Sequence, residues 1–487
     1  MKINTPLLFI TIVFVAIGLL PNVRAVNPPP DGGYPGGNTA EGQLSLGSLT
    51  TGLYNTGIGI YSLLSLTGGS FCTGVGAGTL LTNTAAENTA TGAGALFSNT
   101  IGTANTAHGA FGLFLNTEGS FNTADGDRAL FSNTVGEENT ATGAYALFSN
   151  TEGDFNTANG AYALFFNTTG ERNTATGDSA LYSNTTGDRN TANGNAALVN
   201  NTIGFENTAT GAGALSSNTD GIGNTANGAF ALSSNTGGQG NTATGANALS
   251  SNTTANNNAA TGDSALASNT TGAGNTAVGS TALANSTTGS GNIGLGNNAG
   301  ANVATASNVT CIGTVGKDVN SSCFISRIRG VQTQNADAIP VLIDSDGQLG
   351  TASSSRRFKK EIKAIDKASE AILALKPVTF HYKNDKDNTP QFGLIAEDVA
   401  TVNPDLVVRD KNGEIYTVRY DQVNAMLLNE FLKEHRKVIE QEAMISELKK
   451  QIEAIAAHSK EQDANIQRVS AQIDLSKSET KLADDNL

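Results

Sequence analysis

The run Ser353-Ser-Ser-Arg-Arg-Phe-Lys-Lys-Glu-Ile362 places hydroxyls a few residues ahead of amines. A serine hydroxyl becomes a useful nucleophile when a neighbouring base takes its proton. A lysine amine is such a base only in its neutral form, which burial or cationic neighbours favour. Arg356, Arg357 and Lys360 supply positive surroundings here. A serine shortly before a lysine also occurs in many solvated linkers, so this spacing alone assigns no catalysis. Other reactive side chains are sparse. The three cysteines, Cys72, Cys311 and Cys323, form no even-numbered disulfide framework. His108, His381, His435 and His458 are scattered, without the spacing of a metal site, so neither zinc nor another cofactor is expected.

What must position any such chemistry is dominated by a repeat. Asparagine recurs every seventeenth residue from Asn88 through Asn105, Asn122 and Asn139 to Asn292. The unit reads N-T-A-x-G-x-x-A-L-x-x-N-T-x-G-x-x, and Asn55-Thr-Gly-Ile-Gly and Cys72-Thr-Gly-Val-Gly are worn copies of it. Seventeen residues with two glycines are too short for a helical hairpin, and each glycine would weaken a helix by about 1 kcal/mol. Two short strands per turn of a parallel β-solenoid fit, with the glycines at corners of positive φ. Equivalent positions then stack, so Asn99, Asn116 and Asn133 form an amide ladder, and leucine with two alanines per unit forms an inward stripe. Phe97, Phe114, Phe131, Phe148, Phe165 and Tyr182 form a second row, either a subunit interface or another buried stripe. Cys311 and Cys323 lie close to one turn apart, so an oxidising compartment could join them, or both remain buried thiols.

One leucine per coil contributes about 1.5–3 kcal/mol, against roughly 1–2 kcal/mol for ordering each residue, so association of several chains is expected. With 56 glycines, no tryptophan and 6% aromatics, the chain has no material for a broad globular core. A net charge of −14 excludes a generic nucleic-acid partner. Lys2, the apolar run from Leu7 to Leu20 and the small residues around Ala25 read as a secretory signal, too short to span a bilayer. The expectation is therefore a secreted or cell-surface protein with no integral membrane anchor.

Beyond Gly300 the period fades into strands that close the solenoid as a neck. Composition then shifts to Lys, Glu and Asp. A helix is expected over 361–375, strands at 378–382, 392–395, 406–409 and 414–418, and a turn at Asp410-Lys-Asn-Gly413. From Leu427 onward Phe431, Val438, Ile445, Ile452, Ile466 and Ile473 keep a heptad register, with isoleucine in one seam, which favours a three-stranded coiled coil.

Two resemblances add to this. The Asn-Thr-Ala-x-Gly units over about 50–300 resemble the head repeats of trimeric autotransporter adhesins, which implies a left-handed β-roll in a three-chain bundle; the unit here is longer than the usual one. Ser353 to Ile362, Leu375-Lys-Pro-Val-Thr-Phe-His-Tyr382 and Gly393-Leu-Ile-Ala-Glu-Asp-Val399 resemble, in order, the intramolecular chaperone of endosialidase-type phage tailspikes. That resemblance implies a homotrimer and a single-turnover serine autopeptidase, with Ser354 as nucleophile, Lys359 as base and the Ser353–Ser354 bond as the cut. Ser355 stands where the family often has Asp.

The expected layout is a signal peptide at 1–25, a disordered Pro/Gly-rich linker at 26–50, β-solenoid repeats at 51–300 and a β neck at 301–353. A small α+β auto-processing domain at 354–425, a trimeric coiled coil at 426–476 and a disordered tail at 477–487 follow. A surface glycan or host ligand is a candidate partner. The competing readings are a non-catalytic adhesin whose tail only clamps a trimer, and an ice- or polysaccharide-binding solenoid with stacked Thr89, Thr106, Thr123 and Thr140.

Overall fold

The computed structural model describes residues 34–334, 337–410 and 412–484; the expected signal peptide lies outside them. The chain divides into two compact units, Met1–Val331 and Gln332–Leu487.

The first unit is built from three-residue strands, from β1 (Thr39–Glu41) to β18 (Cys323–Ile325), joined in one 18-stranded sheet. Each strand pairs in parallel with its equivalent one coil on, as in Thr106↔Thr123 and Ala107↔Ala124. The coils begin within the stretch whose composition suggested a linker, because Asn38 already plays the ladder role: its Oδ1 accepts from Asn55 Nδ2 at 3.1 Å. At the other end the ladder runs past residue 300 to Ile325.

Two strands per turn were expected, and the structure has one. The leucine side of the coil cannot be a strand because alternate residues there take positive φ, for example Phe111 (58°) and Leu113 (50°). The backbone on that side is nonetheless paired between coils, with Leu113 N donating to Ala129 O (3.0 Å) and Leu115 N to Phe131 O (2.9 Å), so its polar groups are satisfied. A left-handed non-glycine residue costs roughly 1–2 kcal/mol. Burying the leucine recovers about 1.5–3 kcal/mol. These nearly cancel, which leaves the hydrogen-bonded ladders to carry the coil.

Two asparagine ladders run through the described coils. In one, Asn116 Nδ2 donates to Asn99 Oδ1 and Asn133 Nδ2 to Asn116 Oδ1, both at 2.7 Å. In the other, Asn139 donates through its backbone N (3.0 Å) and Nδ2 (3.1 Å) to Asn122 Oδ1. They converge on the glycine carbonyl at the fifteenth place: Gly119 O accepts from Asn105 Nδ2 (2.8 Å) and Asn116 Nδ2 (2.9 Å). That glycine does not need positive φ. It is there for space, since a Cβ would lie 2.7 Å from both Asn116 Oδ1 and Asn133 Nδ2. The fifth-place glycine is the conformational one, as at Gly109 with φ 117°. The first ladder ends where Ser286 replaces asparagine, leaving Asn269 Oδ1 and Ser286 Oγ buried without partners among the described residues.

The aromatic row is half-buried along most of its length, and its rings stack face to face, with Phe97, Phe114, Phe131, Phe148, Phe165 and Tyr182 at centroid spacings of 5.0–5.2 Å. Of the two alternatives left open for Cys311 and Cys323, a bridge or two buried thiols, the structure has neither in full: both thiols are free, but only Cys311 is buried. The register explains why: Cys311 pairs with Phe324 and Cys323 with Thr310, so Cys311 points into the core and Cys323 outward.

In the second unit, Leu342–Ile343 and Leu349–Gly350 form a hairpin. Val378–Phe380 pairs antiparallel with Gln391–Gly393, and Val407–Arg409 with Ile415–Val418. Asp410 builds the last turn, its Oδ1 accepting from Asn412 N and Glu414 N at 2.9 Å. The helix expected at 361–375 is instead a 3₁₀ stretch, Asp366–Ala374, because Glu361 (φ 53°) and Asp366 (φ 48°) are left-handed. A short helix, α1 (Ala396–Val402), follows the strand Gln391–Gly393. Val399, Leu406, Val407, Val418 and Met426 make the core of this unit. The chain then forms one long helix, α2 (Tyr420–Asp484), whose heptad residues Phe431, Val438, Ile445, Ile452, Ile466 and Ile473 are all exposed in the single chain.

Candidate active site

Ser353, Ser354 and Lys359 lie on an exposed stretch of the second unit. A single 3₁₀ turn, Arg356–Phe358, separates the serines from the lysine, closed by Phe358 N to Ser355 O (3.0 Å) and Lys359 N to Arg356 O (3.1 Å). Ser355 N donates to Ser353 Oγ at 3.2 Å, turning the chain just at the expected cut. Among the described residues no side-chain hydrogen bond joins Ser354 to Lys359. The structure thus brings the two near in sequence but leaves the hydroxyl and amine unpaired and in water. Phe358, between them, is 64% exposed with the Arg357 guanidinium 4.6 Å from its ring centre, and Ile362 is 53% exposed.

A second polar cluster escaped the sequence reading. Ser369, fully buried on the 3₁₀ stretch, has its Oγ 2.5 Å from Glu430 Oε1 and accepts from Asn429 Nδ2 at 2.8 Å. Lys433 Nζ donates to Glu430 Oε1 (2.7 Å) and to Asp366 O (3.1 Å). The hydrogen bond from Lys433, then that from Ser369, holds the Glu430 carboxyl below its ordinary value, and Glu430 raises Lys433. A serine, a carboxylate and an amine are gathered here, but the hydroxyl has no exposed surface for attack. The cluster's role is to fasten residues 366–374 to the start of α2. Only the Glu430-x-x-Lys433 spacing was visible in sequence; Ser369 lies sixty-one residues before Glu430.

Residues 354–408 match the family model described as chaperone of endosialidase. The match confirms the resemblance carried by the three sequence blocks, and its first residue is Ser354, the proposed nucleophile. The matched segment thus begins beside the turn at Ser353–Ser355 and takes in the 3₁₀ stretch, the antiparallel pair Val378–Phe380 and Gln391–Gly393, and α1. No curated protein and no solved structure matches the chain. Among the described residues no helix is long and apolar enough to cross a membrane.

Proposed function

We propose that this protein is an exported fibre of three chains, whose C-terminal segment aligns the chains and then cuts itself off between Ser353 and Ser354. The observation that carries this reading is the position of the family match: it starts at Ser354, C-terminal to a long solenoid and one short hairpin. The family is associated with trimerisation and autoproteolysis.

In this reaction Ser354 Oγ attacks the carbonyl carbon of Ser353 while the Lys359 amine takes the hydroxyl proton. The amide nitrogen of residue 354 leaves with a proton, giving an ester between Ser353 and the Ser354 side chain. Water then hydrolyses the ester, regenerating the hydroxyl and freeing residues up to 353. Because nucleophile and target share a chain, orientation replaces substrate binding. An amine serves best as a base where water is excluded from it, and packing three exposed stretches around Phe358 and Ile362 would dehydrate Lys359. Cutting is thereby coupled to assembly, and removal of the clamp makes it irreversible.

The test is expression of the wild type beside Ser354→Ala and Lys359→Ala, read by intact mass. The expected products end at Ser353 in the wild type alone. A folded, trimeric wild-type chain that stays whole refutes the cleavage and leaves a clamp without catalysis.

A further inference from the structure

We infer that the three chains meet across the outer face of the three-residue strands, with an aliphatic seam at the C-terminal coils; this rests on the trimer proposed above. Each strand sends its middle residue into the core and its two flanking residues outward, the exposed-buried-exposed pattern of Thr208–Thr210. From Thr56–Ile58 to Cys323–Ile325 these outward positions hold Thr, Asn, Ala, Val, Ile, Leu and Cys, and the only acid and the only histidine among them, Asp125 and His108, face each other in register. The chain carries a net charge of −14. Shaft acids such as Glu118, Asp154, Glu171 and Glu206 stand elsewhere on the coil. Identical acidic chains meeting along this face avoid most of the like-charge contacts that would cost several kcal/mol, the exceptions being Asp125 beside His108 and Glu41 on the first strand.

Near the C-terminal end the face becomes greasy. Val278 pairs with Leu295, Leu295 with Ile312 and Ile312 with Ile325, and all four are 37–47% exposed. Ile293 beside them is 45% exposed. A contiguous aliphatic row on a flat sheet face marks an interaction site. The threonines point the same way. Those at the thirteenth place spend their hydroxyls within the chain, as Thr117 Oγ1 does on Thr134 O (3.0 Å). Among the described residues, no side-chain bond of that kind engages Thr140, Thr174 or Thr208 on the strand face. Strands spaced about 4.8 Å apart make a face about 80 Å long and about 10 Å wide, so roughly 800 Å² per chain, the usual share of one partner in a stable interface. The aromatic row is the rival surface, but its rings already cover one another's faces.

The test uses the full chain with Cys323→Ser, carrying either Thr208→Cys on the strand face or Ser216→Cys on the continuation of the aromatic row, treated with a short thiol cross-linker. Light scattering establishes the number of chains first. Cross-linking to a covalent dimer by Thr208→Cys, and not by Ser216→Cys, is expected, together with loss of trimer in an Ile293→Asp, Leu295→Asp double variant that keeps its circular dichroism. A trimer that links through Ser216→Cys alone overturns the placement while sparing the trimer. A monomer by light scattering overturns the trimer itself.

Discussion

Replacing Asn150 by alanine tests whether the amide ladders, rather than the leucine stripe, hold the coils together. Asn150 Nδ2 donates to Asn133 Oδ1 (2.8 Å) and Gly153 O (2.9 Å), and its Oδ1 accepts from Asn167 Nδ2 (2.8 Å). Gly153 O keeps the Asn139 Nδ2 bond at 2.8 Å in the variant, so it is not orphaned. Two buried groups are: Asn133 Oδ1 and one N–H of Asn167. Each orphan costs about 1–3 kcal/mol, giving a destabilisation of roughly 2–6 kcal/mol. In a solenoid this loss is felt by adjoining coils and fades beyond them. Hydrogen exchange read by mass spectrometry suits it better than a melting point, because a long repeat array need not unfold in one step. At a tenfold change per 1.36 kcal/mol, amides in coils 133–167 should exchange at least about thirtyfold faster, while coils near 242–275 stay as they were. Unchanged protection around Asn150, or a loss spread evenly along the shaft, refutes the ladder argument.

The converse substitution, Ser286→Asn, extends the ladder to Asn269 Oδ1 and should slow exchange in the adjoining coils, a gain of about 1 kcal/mol per completed bond; faster exchange would show that the site has no room. Asp318 accepts from the backbone N–H groups of Ala306, Thr305 and Ala304 at 2.7–2.9 Å, which holds its carboxyl below its ordinary value. A depressed carboxylate stabilises the fold above its unfolded value and loses that effect as pH falls through the folded one. The wild type should therefore protect residues 304–306 better than Asp318→Asn near neutrality, with the difference vanishing in strong acid. Lys433→Met should loosen the 3₁₀ stretch from α2, seen as faster exchange at 366–374, and leave exchange in the shaft coils unchanged.

The shaft was legible because every coil repeats the same solution, so errors of register would repeat too and be visible. Asparagine at the twelfth place could be read as a ladder without coordinates, whereas the first-place asparagine marked the period and its own ladder emerged only from the stacked coils. What could not be read was that leucine at the ninth place adopts positive φ, a conformation that local preference argues against and that only coil-to-coil bonding enforces. The fifteenth-place glycine was assigned to the wrong cause for the same reason: the crowding by Asn116 and Asn133 exists only once coils are stacked. In the second unit the turn at Asp410 and all four strands expected between 378 and 418 were found within a residue or two, while the 361–375 helix was misread from its amphipathic spacing. Ser369 was invisible because its side-chain partners Asn429 and Glu430 lie sixty and sixty-one residues away.

The exposed Ser354 and Lys359 bear on why such a fibre would carry a removable end. If the dyad were assembled within one chain, cutting would compete with folding and release the clamp before the shafts were aligned. An array of nearly identical coils is prone to pairing out of step, since a slip by one unit costs little in a ladder of equal rungs. The distinctive features that could set a common register are at the C-terminal end: the Val278–Ile325 aliphatics and the heptads of α2. On the proposed mechanism, a hydroxyl and an amine left unpaired in the single chain would make cleavage a report that this end has come together. On that logic a variant that weakens the heptads, such as Ile445→Asp with Ile452→Asp, should abolish cutting without touching either catalytic group. Full cutting by a monomeric form of that variant, measured by intact mass, would break the link between assembly and chemistry.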